Sequence, residues 1–296
     1  MLQFQPPGFG HKIIQTSLGA MVYYTQTAAP WDIAEIENLP EIVFLHNFGG
    51  GASAYEWSKV YSALAATHRI FAPDLIGWGE SFHPVRNYQI NDYITTIAEF
   101  IKQVCRKPVT IAASSITAAL TIRLAIQQPH LFSSLFLACP SGFDDFGQSS
   151  GRRLPLEVIN TPLLDNLIYK LGAENEIAVR NFLQSFLFAK PKRISEEIVQ
   201  AYLASAQQPN AIFAALAFLR GDLYFDLSLY IKQLTVPTAI LWGEKAQFIN
   251  VKLGKRLANL NPNAISNFYV MPDTGVLPHL ETPEITVGLL NKHLTP

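Results

Sequence analysis

Two adjacent serines, Ser114 and Ser115, sit in the stretch VTIAASSITAAL at 109–120, between a β-branched run and a helix-forming run. A strand-to-helix turn of this kind presents a hydroxyl at the rim of a sheet, where it attacks a carbonyl carbon once a base takes its proton. The glycines that such a turn usually requires are absent. Two other segments place polar residues and glycines directly after apolar runs: LHNFGGG at 45–51 and DLIGWGES at 74–81.

The elements that must position these residues are legible in the pattern. Strand-like runs bounded by turn residues occur at 12–17, 20–26, 41–47, 69–75, 108–114, 133–141, 238–245 and 264–271. Helix-length segments separate them, notably 55–67, 91–105, 116–128, 248–259 and 283–294. This alternation predicts an α/β fold: an eight-stranded, mostly parallel sheet flanked by helices, opening with an antiparallel hairpin. Residues 143–233 break the rhythm, being helix-rich and carrying Phe182, Phe186, Phe188, Phe213 and Phe218. They read as a helical cap inserted after the sixth strand, so that the core comprises 1–142 and 234–296. Ligands of such sheets bind outside the carboxyl ends of the strands, which a cap there would roof.

Bulk properties narrow the function. With 296 residues, 49% of them hydrophobic, the chain can bury a large core. A formal net charge of −1 offers no basic surface for nucleic acid. Cys105 and Cys139 form neither a disulfide framework nor a zinc motif, and no cofactor or metal is expected. The start, MLQFQPPGFG, lacks a signal-peptide pattern, and the longest apolar run, 211–219, is half a membrane span, so the expectation is a cytoplasmic protein without a transmembrane segment.

In order and spacing, the loops at 45–51, 74–81 and around Ser115, with PTAILWGE at 237–244 and GVLPHLETPE at 275–284, resemble the α/β-hydrolase family, specifically its capped esterases and lipases. The resemblance spans nearly the whole chain outside the cap. It implies an elbow, G-x-S-x-G in the family and Ala113 to Thr117 here, with Ser115 at its apex and Ile116 donating one oxyanion-hole amide. Phe48 is implied as the donor of the other. Thr117 departs most from the pattern, because small residues there let strand and helix approach. The plain alternative is that Ser115 only caps the helix.

The same resemblance places the family's acid at Ala246 and its histidine at Val276. Neither side chain can carry a proton, and the two replacements agree, since a buried carboxylate has no use without an imidazole to orient. Loss of a triad histidine costs roughly 2 × 10⁶ in kcat, about 8 to 9 kcal/mol of barrier. His279 matches a second, structural histidine and is the one alternative base. His46 is expected to order the oxyanion loop, Lys245 to be solvated, Asp74 to stitch its own loop, and Asp144 and Asp145 to be turn residues. Asn47 replaces a glycine and is the side chain that best tolerates left-handed backbone there.

An apolar pocket of Phe48, Trp78, Ile116, Val276, Leu277 and cap phenylalanines is expected around Ser115, edged by Asn47; the cap aromatics could equally serve only to pack the cap. The sequence thus points to a degenerate hydrolase, a pseudoenzyme that binds a small apolar, acyl or ester-like ligand or regulates a partner it does not name. The rival is a weak carboxylic-ester hydrolase using Ser115 with His279.

Overall fold

The computed structural model describes residues 4–31, 36–142, 175–247 and 250–295. The eight expected strands are β1 (Phe9–Thr16), β2 (Gly19–Gln26), β3 (Glu41–Leu45), β4 (Arg69–Pro73), β5 (Val109–Ser114), β6 (Phe132–Ala138), β7 (Thr238–Gly243) and β8 (Ile265–Met271). They form one sheet in the order β1-β2-β4-β3-β5-β6-β7-β8. β1 and β2 are the expected antiparallel hairpin, β2 meets β4 antiparallel, and the remaining neighbours run parallel. The predicted strands at 41–47 and 238–245 run two residues too far, because His46 and Glu244 already belong to the loops that follow the strands.

Central strands are buried along their whole length and alternate between two cores. Val43, Leu45, Ile111 and Ala113 face one core, which α2 (Ile90–Val104) and α3 (Ser115–Gln127) cover; Ile42, Phe44 and Ala112 face the other, under α1 (Ser58–Leu64) and the C-terminal helix α9 (Pro283–Leu294). The chain leaves β3 for β4 on one side, whereas β5 lies on the other side of β3. Their carboxyl ends therefore flank the switch point of the sheet, where a crevice opens. His46 to Gly51 follow β3 and Ser115 follows β5.

Between β6 and β7 the described part of the excursion is helical: α4 (Glu176–Phe182), a π-helical turn (Leu183–Leu187), α5 (Glu196–Ala206) and α6 (Ala211–Arg220). Residues 143–174, including Asp144 and Asp145, lie outside the described residues, as does the expected boundary at 143. Beyond β7 come α7 (Val251–Asn259) and the short α8 (Pro278–Glu281). No helix among the described residues is long and apolar enough to cross a membrane.

Candidate functional site

Ser115 has φ 54°. Its neighbour Ser114 is extended, so the chain turns at Ser115 itself and α3 begins there. A non-glycine residue in the left-handed region is held there only when its surroundings over-determine it; this is a strained elbow rather than a plain helix cap. Thr117 does not distort it. The threonine is fully buried and Thr121 Oγ1 donates to its carbonyl at 2.8 Å, but its own Oγ1 finds no partner. The departure from glycine is absorbed as an unsatisfied hydroxyl.

The loop after β3 is fixed from behind. Leu75 N–H donates to His46 Nε2 at 2.9 Å, so that nitrogen is the acceptor and Nδ1 carries the proton it donates to Asn47 O at 2.7 Å. Burial lowers the His46 pKa and keeps the ring neutral. His46 thus ties the loop to the Asp74 segment, as expected. Asp74 does stitch its own loop, accepting from Glu80 N–H at 2.8 Å, but it also accepts from Ala54 N–H at 2.7 Å and from the Tyr24 hydroxyl at 3.2 Å. Burial pushes its carboxyl up to about 7 against these donors.

Asn47 behaves differently from its expected role. Its backbone is not left-handed, and Gly51 takes the positive φ of 90° instead, with the Tyr202 carbonyl 2.1 Å from where a Cβ would lie. What holds Asn47 is Glu56, a buried carboxylate that accepts from Asn47 N–H at 2.9 Å, Asn47 Nδ2 at 2.8 Å and the Tyr202 hydroxyl at 2.5 Å. Sequence reasoning missed this residue. Its signal was an acid inside the apolar turn Ala54–Trp57.

Around Ser115, one cavity is lined by Asn47, Phe48, Cys139, Ser141, Phe182, Leu187, Phe218, Ala246 and Val276. Five positions singled out from separate parts of the sequence, namely Asn47, Phe48, Ser115, Ala246 and Val276, therefore meet. Of the inserted phenylalanines, Phe182 and Phe218 reach the cavity, whereas Phe188 is buried in the core. The backbone N–H groups of Phe48 and Ile116 donate to no acceptor among the described residues, and neither does Ser115 Oγ bond to any of them.

Three expected lining side chains are corrected. Trp78 stacks on Phe48 with 5.2 Å between ring centroids and 6° between planes, and its indole N–H donates to Tyr93 O–H at 3.0 Å, so it supports Phe48 from behind. Leu277 is fully buried at the start of α8 and turns into the core. The Ile116 side chain also packs into the core; its place at the site rests on its amide alone. Cys139, Ser141 and Leu187 were missed. Cys139, with φ 44°, takes Gly243 N–H on its sulfur at 3.4 Å, and burial raises its thiol to about 12.

The described residues include all seven histidines, and none lines this cavity. His279 stacks on Trp57 at 3.9 Å, with Nε2 3.8 Å from Glu56 Oε2 and no hydrogen bond at either nitrogen. Burial lowers its pKa. His83 bonds to Gly79 O at 3.0 Å, His68 sits beside Thr67, His293 packs on Phe136, and His11 and His130 lie on β1 and before β6. Lys245 is exposed beside Glu244, as expected.

The strand-8 loop is pinned against sliding His279 inward. Val276 N–H donates to Leu187 O at 2.9 Å, and a Cβ on Gly275 would stand 2.2 Å from that carbonyl. Buried Glu281 accepts from Gly275 N–H at 2.6 Å, from Lys190 N–H at 3.0 Å and from Ala189 N–H at 3.1 Å, and pairs with Arg193 at 3.0 Å.

The comparisons with known proteins agree with this architecture. Residues 42–289 match the Alpha/beta hydrolase family. The chain belongs to that family. Among curated relatives, an uncharacterized hydrolase of Bacillus subtilis is 26% identical over 93% of both chains, and Lipase 1 of Psychrobacter immobilis is 22% identical over 83% of this chain and 74% of its own. Among solved structures, a serine hydrolase involved in carbazole degradation superimposes with a TM-score of 0.76 at 17% identity, covering 97% of this chain and 99% of the other. A carboxylesterase of Bacillus subtilis superimposes with a TM-score of 0.76 at 15% identity, covering 99% and 94%. These similarities establish the α/β-hydrolase fold and leave the chemistry to the site.

Proposed function

We propose that this α/β-hydrolase-fold protein does not run the serine–histidine mechanism and instead holds a small acyl-type group beside Ser115, with the helical insertion acting as its cap. One observation carries the reading: Ser115 Oγ shares its cavity with Ala246 and Val276 and has no imidazole beside it. A serine hydroxyl without a base is a poor nucleophile at neutral pH. Two unspent amides, from Phe48 and Ile116, still offer a carbonyl oxygen a pair of donors.

The cavity measures about 20 Å³, room for roughly one or two waters and far below the few hundred Å³ of a drug-sized site. A carbonyl head group fits this reading better than a long acyl chain. The ring of His279, stacked on Trp57, argues against a relocated base. The hydrolase names of the relatives describe those proteins, and fold likeness alone does not carry an activity across.

A fluorophosphonate serine probe tests the reading. The wild-type protein should remain unlabelled at concentrations that label active serine hydrolases to completion. Stoichiometric labelling that disappears in Ser115→Ala would overturn the proposal.

A further inference from the structure

The cavity beside Ser115 contains an acceptor as well as donors, and its orientation is set from outside the cavity. Asn47 has two polar ends that X-ray density seldom distinguishes but hydrogen bonding does. Its Nδ2 stands 2.8 Å from Glu56 Oε1. That oxygen also accepts from the Tyr202 hydroxyl, and the other carboxylate oxygen accepts Asn47 N–H. A carboxylate accepts at both oxygens, so the atom of Asn47 facing it must be the NH₂ group. Three donors converge on Glu56, and no neutral side chain of its size serves all three.

With Nδ2 so committed, Oδ1 points the other way. The position a Cβ on Gly49 would occupy lies 3.2 Å from Asn47 Oδ1 and 3.4 Å from the Phe182 ring edge. The oxygen therefore faces the same space as a ring that lines the cavity. It accepts no hydrogen bond from any described residue, and Asn47 is one of the residues that line the cavity. A buried acceptor left without a donor costs more than an ordinary hydrogen bond gains, a loss that a ligand N–H or O–H would recover.

We propose that Asn47 is the specificity-determining residue of this site, held by Glu56 as its positioning residue, and that the ligand head group is a primary carboxamide. Its carbonyl oxygen meets the amides of Phe48 and Ile116 while its N–H meets Asn47 Oδ1. The assignment rests on the acyl-binding reading above and sharpens it. Esters and ketones supply the oxygen but no donor, and a carboxylate would set a negative oxygen against Oδ1.

Acetamide, acetone and acetate have nearly the same shape and differ only in these groups. Titrating each into ¹⁵N-labelled protein, following the Phe48 and Ile116 amide resonances, gives their relative affinities. Acetamide should bind about five- to tenfold more tightly than acetone, the factor expected of one added hydrogen bond, and acetate should bind no better than acetone. Asn47→Gly removes the acceptor and Glu56→Gln releases its orientation; both should bring the acetamide-to-acetone ratio near one. Phe218→Ala, which enlarges the cavity, should keep the wild-type ranking. Equal binding of acetamide and acetone, or a preference that survives Asn47→Gly, overturns this assignment alone. No binding of any probe to wild type or to Phe218→Ala overturns the acyl-binding reading as well.

Discussion

The rim of the sheet at Ser115 and the ground immediately behind it are built from opposite materials. At the rim, Ala246 and Val276 face the cavity with aliphatic side chains, and the serine hydroxyl bonds to nothing described. Behind it, three buried carboxylates, Asp74, Glu56 and Glu281, each accept several hydrogen bonds from the loops that shape the cavity. The difference teaches that the form of an active site and its acid–base chemistry are physically separable. Form is held by backbone amides satisfied inside low-dielectric protein, where losing one acceptor strands several donors. In the proposed reading, proton transfer would depend on the side chains at 246 and 276, which hold none of those bonds.

If that separation is real, proton chemistry can be put back without rebuilding the form. The combined change Ala246→Asp with Val276→His should raise hydrolysis of a short p-nitrophenyl ester by 10³-fold or more over either single change, on the order of 4 kcal/mol of barrier, because the triad acts as a unit. Equal small gains from each single change would break the comparison at its centre.

The converse concerns the carboxylates. Glu281→Ala should destabilise the protein by about 3 to 5 kcal/mol, since Arg193 and three backbone amides lose their acceptor. Val276→Ala should cost only about 1 to 2 kcal/mol. Urea midpoints for the two variants measure the contrast directly.

Acid should also find the ground behind the rim first. His46 and His279 have folded pKa values below their unfolded ones. The unfolded chain then takes protons the folded chain refuses, so their contribution is intact above about pH 6.5 and is lost as pH falls, by up to about 1.4 kcal/mol per pH unit each. Asp74, raised to about 7, works in the reverse sense. Its folded state takes the proton first, which adds stability as pH falls from about 7 toward 4 and offsets one histidine. His279→Gln should flatten the acid limb of the stability profile by about one proton; an unchanged slope would show that the ring is not held neutral.

The smallest effect belongs to the elbow. Thr117→Val removes a buried hydroxyl without a partner while keeping the shape, and should stabilise the fold by about 1 kcal/mol. A loss of stability would mean that the hydroxyl is satisfied after all.

Much of this was readable before any coordinates. Strand and helix positions follow from residue periodicity, a local property, and the eight strands lie where the apolar runs put them. Ser115, Ala246 and Val276 were placed by the resemblance to the α/β-hydrolase family, and they do share one cavity. Trp78 and Leu277 were misplaced because hydrophobicity identifies a residue that will be buried without saying on which side of a loop. Glu56, Tyr202 and Leu187 stayed hidden because their partners lie far away in the chain.

The sequence by itself determined the order of elements and the absence of an ionisable group at two positions, since both are properties of residue type along a line. Only the tertiary structure decided which way Asn47 faces and how little room remains beside Ser115. Those depend on Glu56 being brought against the loop that follows β3 and on Phe182, Leu187 and Phe218 closing over it, and contacts between distant segments are fixed by packing of the whole chain.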